Sequence, residues 1–534
     1  MGPADAGRAE SVTKSSRHGT TLLLLLCFSK HSPPAQRRTN PPHHPLSCPR
    51  GAATEPGVTT SQVEIDLAAI EHNTRVIRSI LQPPPHPNTP PNPHAPSAPA
   101  GAQGAAGGTQ LCAIIKQDAY GLGAPRIARK LAALGVDLLA VFCTAEARAL
   151  ADTPIRTPIL VLMPVAEFDR KDPLYRLAVA GRLHLTLHSE AQALELASVA
   201  SRVGVTFPVH VQVDTGMSRG GCLPDAAEAL IDLALSSPRF RLAGIMTHFS
   251  SPATDDEFTR EQARLFRGFI ERIKPRLTAA ADRLRGQAPV VVHAANSAAA
   301  FRSDSLHASM VRVGQALFGY VADAFTDREH VQFADEAASL RPALRWVSRI
   351  VHVQDVPAGW PVGYNRLFHT RKPSRIALVP VGYADGYPIA LTNKGQVRLT
   401  GLAWDRPRTA EPTAPGPTPS PAPERASAFA PVVGRVSMDQ ITIDVTDLPE
   451  EFWRPGREVE IYGTDPGAPN HLPSLAAAAG TITHQMLCAI SPALERVYLT
   501  RACAEGDTEG EPSPGGARRK VPAGVGTPAP AARA

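Results

Sequence analysis

Between about residues 111 and 320, short β-prone runs alternate with stretches of helical periodicity, and this alternation restricts the folds open to the chain more than any other feature. The apolar, β-branched runs fall at 111–115, 138–142, 159–163, 183–187, 209–213, 242–247, 290–293 and 311–313. Helical patterns lie between them, among them 125–134, 190–203, 226–235 and 257–273. A strand that reads as a nearly continuous apolar run is buried on both faces, as in a parallel sheet covered by helices. Strand–helix units repeated over this length predict an α/β fold with a (β/α)8 TIM barrel. Such a barrel carries its chemistry at the C-terminal ends of its strands. Those ends hold Lys116, Asp214, His248, Asn296, Ser297 and Arg312.

From about 340 to 500 the pattern changes. Runs at 345–353, 375–381, 396–399, 431–436, 441–445 and 458–462 are rich in Val and Ile, several alternate, and Gly or Pro interrupts them. This reads as a mostly-β second domain. One further strand is expected at 63–66, followed by a helix at 67–81. The 53 prolines are too many for a uniformly folded chain. They gather in stretches that bury too little apolar surface to offset the entropy of ordering. The resulting plan is a disordered leader at 1–60 and a TIM-barrel domain at 61–335 with an insertion at 83–109. A C-terminal β-rich domain at 336–503 with an insertion at 406–429 follows, then a disordered tail at 504–534.

The formal charge of +6 is small for 534 residues, and much of the basic excess sits near the ends, at Arg17, Arg37, Arg38, Arg518, Arg519 and Lys520. No basic patch interleaved with aromatics points to nucleic acid. The seven cysteines are an odd number without a CxxC pair, which suits a reducing compartment and offers no metal-ligand spacing. The apolar run at 22–28 is too short to span a bilayer, and Ser29-Lys30-His31 is not a small-residue cleavage site. A cytoplasmic protein that engages neither membrane nor nucleic acid is expected.

The segment Ile114-Ile115-Lys116-Gln117-Asp118-Ala119-Tyr120-Gly121-Leu122-Gly123 places a lysine at the end of the first barrel strand. There its stem is desolvated and its amine gives up a proton more readily than in water, as Schiff-base chemistry requires. Tyr120 and the neighbouring glycines leave room for a phosphate.

That segment resembles the pyridoxal-lysine motif of alanine racemases, written K-A-D-A-Y-G-H-G. Further segments match the same family in the same order: Val213-Asp214-Thr215-Gly216-Met217-Ser218-Arg219, Gly244-Ile245-Met246-Thr247-His248-Phe249, His293-Ala294-Ala295-Asn296-Ser297-Ala298, Met310-Val311-Arg312-Val313-Gly314, Val381-Gly382-Tyr383-Ala384-Asp385-Gly386-Tyr387-Pro388 and Gly434-Arg435-Val436-Ser437-Met438-Asp439-Gln440. The resemblance covers about residues 62 to 502. It implies an isomerase that interconverts L- and D-alanine with pyridoxal 5'-phosphate and so supplies D-alanine to the cell wall. Lys116 then carries the cofactor. Tyr120, Asn296, Ser297, Gly314, Gln315 and His484 surround it, most of them towards its phosphate. Arg312 faces the pyridine nitrogen, and His248 relays between Arg312 and the second base, Tyr364. Arg219, Tyr383 and Met438 approach the substrate. In the family Tyr364, Tyr383 and Met438 reach the site from a partner subunit, so a homodimer is implied. Lysine there takes the proton from D-alanine and tyrosine takes it from L-alanine.

Three departures stand out. His484 occupies the place of a phosphate-binding tyrosine, Gln212 that of a lysine that many members carbamylate, and Leu122 that of the motif's histidine. None removes a base. A racemase of broader amino-acid specificity, a decarboxylase sharing the same two-domain plan and a barrel-only regulatory protein that binds the cofactor are the alternatives. The decarboxylases pair the pyridine nitrogen with a carboxylate, where this chain has Arg312. The barrel-only proteins lack the β domain and the second base.

Overall fold

The computed structural model describes residues 60–82, 108–165, 167–280, 288–403 and 427–500. The expected leader, both insertions, the tail and the apolar run at 22–28 fall outside the described residues, apart from a few flanking positions.

The first strand, β1 (Ser61–Asp66), leads directly into a helix, Leu67–Ile80. Asp66 starts that helix by accepting the N–H groups of Ala68 and Ala69 on its carboxylate, the standard way to satisfy donors that have no intrahelical partner. The eight strands that follow are β2 (Gln110–Ile114), β3 (Leu138–Val141), β4 (Ile159–Val161), β5 (Leu183–Leu187), β6 (Phe207–Gln212), β7 (Phe240–Met246), β8 (Val291–His293) and β9 (Met310–Val313). All pair in parallel with the next, and β2 closes on β9 from Gln110↔Met310 to Ala113↔Val313. Each falls on one of the expected runs. The strand expected at 209–213 begins earlier, at Phe207, because Pro208 near a strand's start costs the ladder little. Helices pack outside, among them Ala124–Ala133, Glu190–Val203, Pro224–Ser236 and Asp256–Ala279.

The later strands are β10 (Leu344–Arg349), β11 (His352–Val356), β12 (Pro361–Val362), β13 (Phe368–His369), β14 (Ser374–Val379), β15 (Gln396–Ala403), β16 (Ser427–Pro431), β17 (Ile441–Asp444), β18 (Arg457–Tyr462) and β19 (Glu495–Leu499). They form a six-stranded sheet in the order β16-β15-β18-β10-β1-β19, a three-stranded sheet β11-β14-β17 and a small hairpin. Strand β1 therefore belongs to the sheet of the C-terminal strands, between β10 and β19. Arg345 ties that sheet together: it bonds Glu64 on β1 at 3.0 Å, Glu460 on β18 at 2.5 Å, and Glu458.

Two expected runs are divided. The run at 345–353 breaks at Ile350, where the backbone changes partner: Ile350 donates to Arg457 and Val351 to Leu378, so β10 and β11 enter different sheets. The run at 431–436 keeps only the end of β16 and a single bridge from Val432 to Ile443. Gly434 turns the chain away with φ +79°, in a place where a Cβ would lie 2.8 Å from the Val362 carbonyl.

Candidate active site

Lys116 leaves β2 and opens a short turn, Lys116–Tyr120, that winds the wrong way. Gln117, Asp118, Ala119 and Tyr120 have φ of 53°, 53°, 55° and 59°. A left-handed turn of L-residues costs about 1–2 kcal/mol per residue, so contacts around it must hold it. The Glu146 carboxylate accepts the N–H of Gln117 at 3.0 Å and of Phe142 at 2.7 Å. Asp118 accepts the N–H of Ala124 at 2.7 Å. From β19, Tyr498 donates to the Leu122 carbonyl at 2.9 Å and Arg496 to the Gly121 carbonyl at 3.2 Å. The turn brings the buried Tyr120 hydroxyl against β9: a Cβ on Gly314 would come within 2.2 Å of it. Tyr120 also packs against Phe318 and His484, with ring centroids 5.5 and 5.7 Å away.

Burial, and then the charge of Arg219, hold the Lys116 amine below the ordinary lysine range. Cys488 and Glu146 also lie within electrostatic reach of it. Burial and then Lys116 likewise lower His484. Ser297 begins a helix, Ser297–Arg302, and its Oγ accepts the N–H of Gly314 at 3.0 Å. Asn296 caps that helix, its Oδ1 accepting from Ala299 and its Nδ2 donating to Phe249. Gln315 opens the turn Gln315–Phe318 directly after Gly314.

Arg312 lies at the end of β9, 5% exposed. Its Nη1 donates to the His293 carbonyl at 2.9 Å, and its Nη2 to the carbonyls of Thr247 at 2.7 Å and Ala294 at 3.1 Å. Nη2 also reaches His248 Nδ1 at 3.1 Å. Among the described residues the Nε–H is the donor left over. Burial brings the guanidinium down to about 10. Burial and then the charge of Arg312 hold His248 well below its usual value, so it is neutral, accepts at Nδ1 and keeps its proton on Nε2.

Arg219 lies in an exposed loop after β6. Asp214 stabilises that loop by accepting the N–H groups of Gly216 and Met217, each at 2.9 Å, which spends its carboxylate on the backbone. Gln212 donates to the Gly220 carbonyl at 2.9 Å. Where a charged carbamate would need a cation, this amide fixes the loop from within.

Lys116, Tyr120, His248, Ser297, Gly314, Arg312, Arg219 and His484 thus meet at one mouth of the barrel. Tyr364, Tyr383 and Met438 do not join them. They lie on the C-terminal domain, 68%, 42% and 54% exposed, and among the described residues no hydrogen bond or ring contact joins them to Lys116. Tyr383 and Met438 are neighbours: the N–H groups of Tyr383 and Ala384 bond the carbonyls of Ser437 and Met438, both at 3.0 Å. A cleft lined by Tyr364, Arg435, Ser437 and Gln440 adjoins them. Sequence reasoning missed Glu146, Arg496, Tyr498 and the left-handed turn; only the positions of Gly121 and Gly123 hinted at unusual backbone there.

Among the described residues no helix is long and apolar enough to cross a membrane, and no cluster of His, Cys, Asp or Glu could hold a metal ion.

A barrel that presents a desolvated lysine at its mouth, with a buried arginine at a neighbouring strand end and a β domain attached, suits a barrel-type pyridoxal phosphate enzyme. Two family models match: "Alanine racemase, N-terminal domain" over residues 101–322 and "Alanine racemase, C-terminal domain" over 343–406 and 425–498. An alanine racemase of Desulfovibrio desulfuricans is 34% identical over 444 residues, 82% of this chain and 97% of the relative. One from Syntrophobacter fumaroxidans is 32% identical over 80% of this chain and 95% of its own length. Among solved structures, the Streptomyces coelicolor alanine racemase superposes with a TM-score of 0.62 at 28% identity, covering 83% of this chain and 99% of that one. The Bartonella henselae enzyme, solved with covalently bound pyridoxal phosphate, gives 0.59 at 25% identity over 82% and 99%. The chain belongs to the alanine racemase family.

Proposed function

We infer that the protein interconverts L- and D-alanine with pyridoxal 5'-phosphate as cofactor, and that this supplies D-alanine for the cell wall. The observation that carries the reading is the pairing of a desolvated Lys116 with a buried Arg312 that has no carboxylate partner among the described residues and one unused donor, its Nε–H. The residues fit the cofactor on two counts. Gly314 has no side chain, which lets the Tyr120 hydroxyl stand against the backbone beside Ser297, so two hydroxyl groups meet where a phosphate would be held. The orphan Nε–H of Arg312 suits a neutral aromatic nitrogen.

Lys116 would hold the cofactor. Tyr120, Ser297, His484 and the backbone at Gly314 and Gln315 would take its phosphate, with Asn296 positioning Ser297. Arg312 would donate to the pyridine nitrogen, and a permanent cation there keeps that nitrogen unprotonated. When bound, the cofactor supplies the electron sink that acidifies the alanine α-C–H.

Racemisation removes the α-proton from one side and returns it on the other. Lys116 Nζ serves one side and Tyr364 Oη the other. His248 donates its Nε2–H towards the tyrosine oxygen and passes on the influence of Arg312. Arg219 holds the substrate carboxylate, and Tyr383 and Met438 restrict the space beside the methyl group. Tyr364, Tyr383 and Met438 come from the other subunit of a homodimer, which accounts for three large side chains left exposed on one chain. Cys112, Cys143, Cys222 and Cys488 are all free, in keeping with a cytoplasmic enzyme.

The test is Tyr364→Phe, which removes the phenolic oxygen and keeps the ring. Racemisation should slow by about two orders of magnitude or more in both directions. Exchange of the α-proton with solvent from D-alanine, which needs only Lys116, should survive better than exchange from L-alanine. Equal loss from both enantiomers would remove Tyr364 from the role of opposed base.

A further inference from the structure

Behind Arg312 the barrel interior holds three histidines from three strands: His184 on β5, His210 on β6 and His293 on β8. They form a continuous string. His184 Nδ1 lies 2.9 Å from His210 Nε2, His210 Nδ1 lies 3.0 Å from His293 Nε2, and His293 Nδ1 lies 3.3 Å from Arg312 Nη1. Strand β7 runs between β6 and β8, and its Gly244 stands level with His210 and with Val291. A Cβ on Gly244 would sit 2.2 Å from His210 Nδ1 and 3.0 Å from His293 Nε2. The second contact of the string exists because that residue has no side chain.

The direction of every proton in the string follows from its Arg312 end. A guanidinium can only donate, so His293 accepts at Nδ1 and its proton sits on Nε2. His210 must then accept at Nδ1 and donate from Nε2, and His184 must do the same. The Gly181 backbone, within electrostatic reach of the His184 ring, offers a carbonyl that can only accept, which agrees with a His184 proton on Nε2. The Arg312 end sets the assignment: three neutral Nε2–H tautomers in series. Burial keeps them neutral, and the charged groups that face them, Arg312 at one end and Arg241 beside His184 and His210, are both cations. Three aligned imidazole dipoles turn their lone-pair ends towards the guanidinium.

We propose that His184, His210 and His293 are positioning residues for Arg312, a one-directional donor string that orients the guanidinium and keeps it cationic in the barrel interior without a carboxylate. The proposal rests on the reading that Arg312 faces the cofactor's pyridine nitrogen. It extends the catalytic apparatus from the barrel mouth back to the carbonyl of Gly181.

Two measurements test it. In protein labelled with 15N-histidine and stripped of cofactor, the nitrogen spectrum should show three neutral Nε2–H rings that do not titrate between about pH 6 and 8, where an ordinary histidine changes charge. An Nδ1–H tautomer or a titrating ring at His184, His210 or His293 overturns the string. The second measurement compares His210→Met, His210→Gln and Gly244→Ala with the parent holoenzyme. Met cannot relay, whereas the Gln amide can accept from His293 and donate to His184. His210→Met and Gly244→Ala should lower kcat by about tenfold or more, the size usual for losing a supporting hydrogen-bond partner, with the KM for alanine changed by less than about twofold. His210→Gln should recover most of that loss. Equal behaviour of Met and Gln would reduce the string to packing and overturn the proposal. Arg312→Gln separates this from the underlying reading: if it leaves racemisation intact, the reading of Arg312 fails. If it abolishes racemisation while His210→Met does not alter kcat, the reading stands and the string is refuted.

Discussion

At the scale of single residues, the barrel mouth is built by withholding charge. Lys116, His248, His293 and His210 all sit where burial disfavours their protonated forms, and among the described residues no carboxylate pairs with Arg312. This has a consequence for stability. A histidine takes up a proton near pH 6.5 in the unfolded chain, whereas His210, His248 and His293 resist it in the fold. Below about pH 6.5 the unfolded chain therefore binds more protons than the folded one, and stability rises with pH across that window. The stability these rings support is fully present above about pH 6.5 and is lost as pH falls towards their depressed folded values. Each ring contributes a slope of about 1.4 kcal/mol per pH unit. Carboxylates titrate lower, so the range from about pH 6.5 to 5 isolates the histidines. Urea unfolding of the parent across that range should show a steep acid loss, and His210→Gln should remove one ring's share of the slope. A stability profile flat over the range would mean that the buried rings are already protonated.

At the scale of elements, the left-handed turn is the costliest local feature, with strain on the order of 4–8 kcal/mol over its four residues. Glu146 holds its entrance with two backbone N–H groups. Glu146→Ala should lower stability by about 1–2 kcal/mol. It should also weaken pyridoxal phosphate binding, because Lys116 and Tyr120 stand at the two ends of the turn. Unfolding midpoints and cofactor titration would check this, and an unchanged cofactor Kd would show that Asp118 and β19 hold the turn without Glu146. The turn also marks where the sequence stops being informative. The barrel strands were legible because each carries its own apolar run, a local property. The turn was not, because its supports, Glu146, Arg496 and Tyr498, come from far along the chain and have ordinary residue types. The histidine string hid for the same reason. His184 and His210 read as single polar residues in apolar strands, and only the barrel's register, with Gly244 between β6 and β8, brings His210 to His293. Tyr364, Tyr383 and Met438 enter the proposed site through family resemblance alone, since nothing in their spacing shows which side chains they meet.

At the scale of the whole molecule, the proposed function divides the site between two parts of one chain that do not touch each other. The Lys116 half lies in the barrel, and the Tyr364 half is displayed on the outside of the C-terminal domain. In the proposed two-fold dimer one repeated contact would solve this, each subunit offering its exposed half to the other's barrel. That arrangement makes a prediction that no single-chain site shares. Lys116→Ala and Tyr364→Phe should each be nearly inactive as homodimers. In a mixed dimer, one site receives Lys116 from the tyrosine variant and Tyr364 from the lysine variant, and so is intact. The other site receives both substitutions and is dead. When the two proteins are unfolded together and refolded in equal amounts, half of the dimers should be mixed, each with one working site. Activity should return to about one quarter of the parent's per subunit. It should fall on dilution as the dimers separate and recover on reconcentration. If Lys116 and Tyr364 of the same chain served one site, mixing would restore nothing at any concentration, because every chain would keep its own defect.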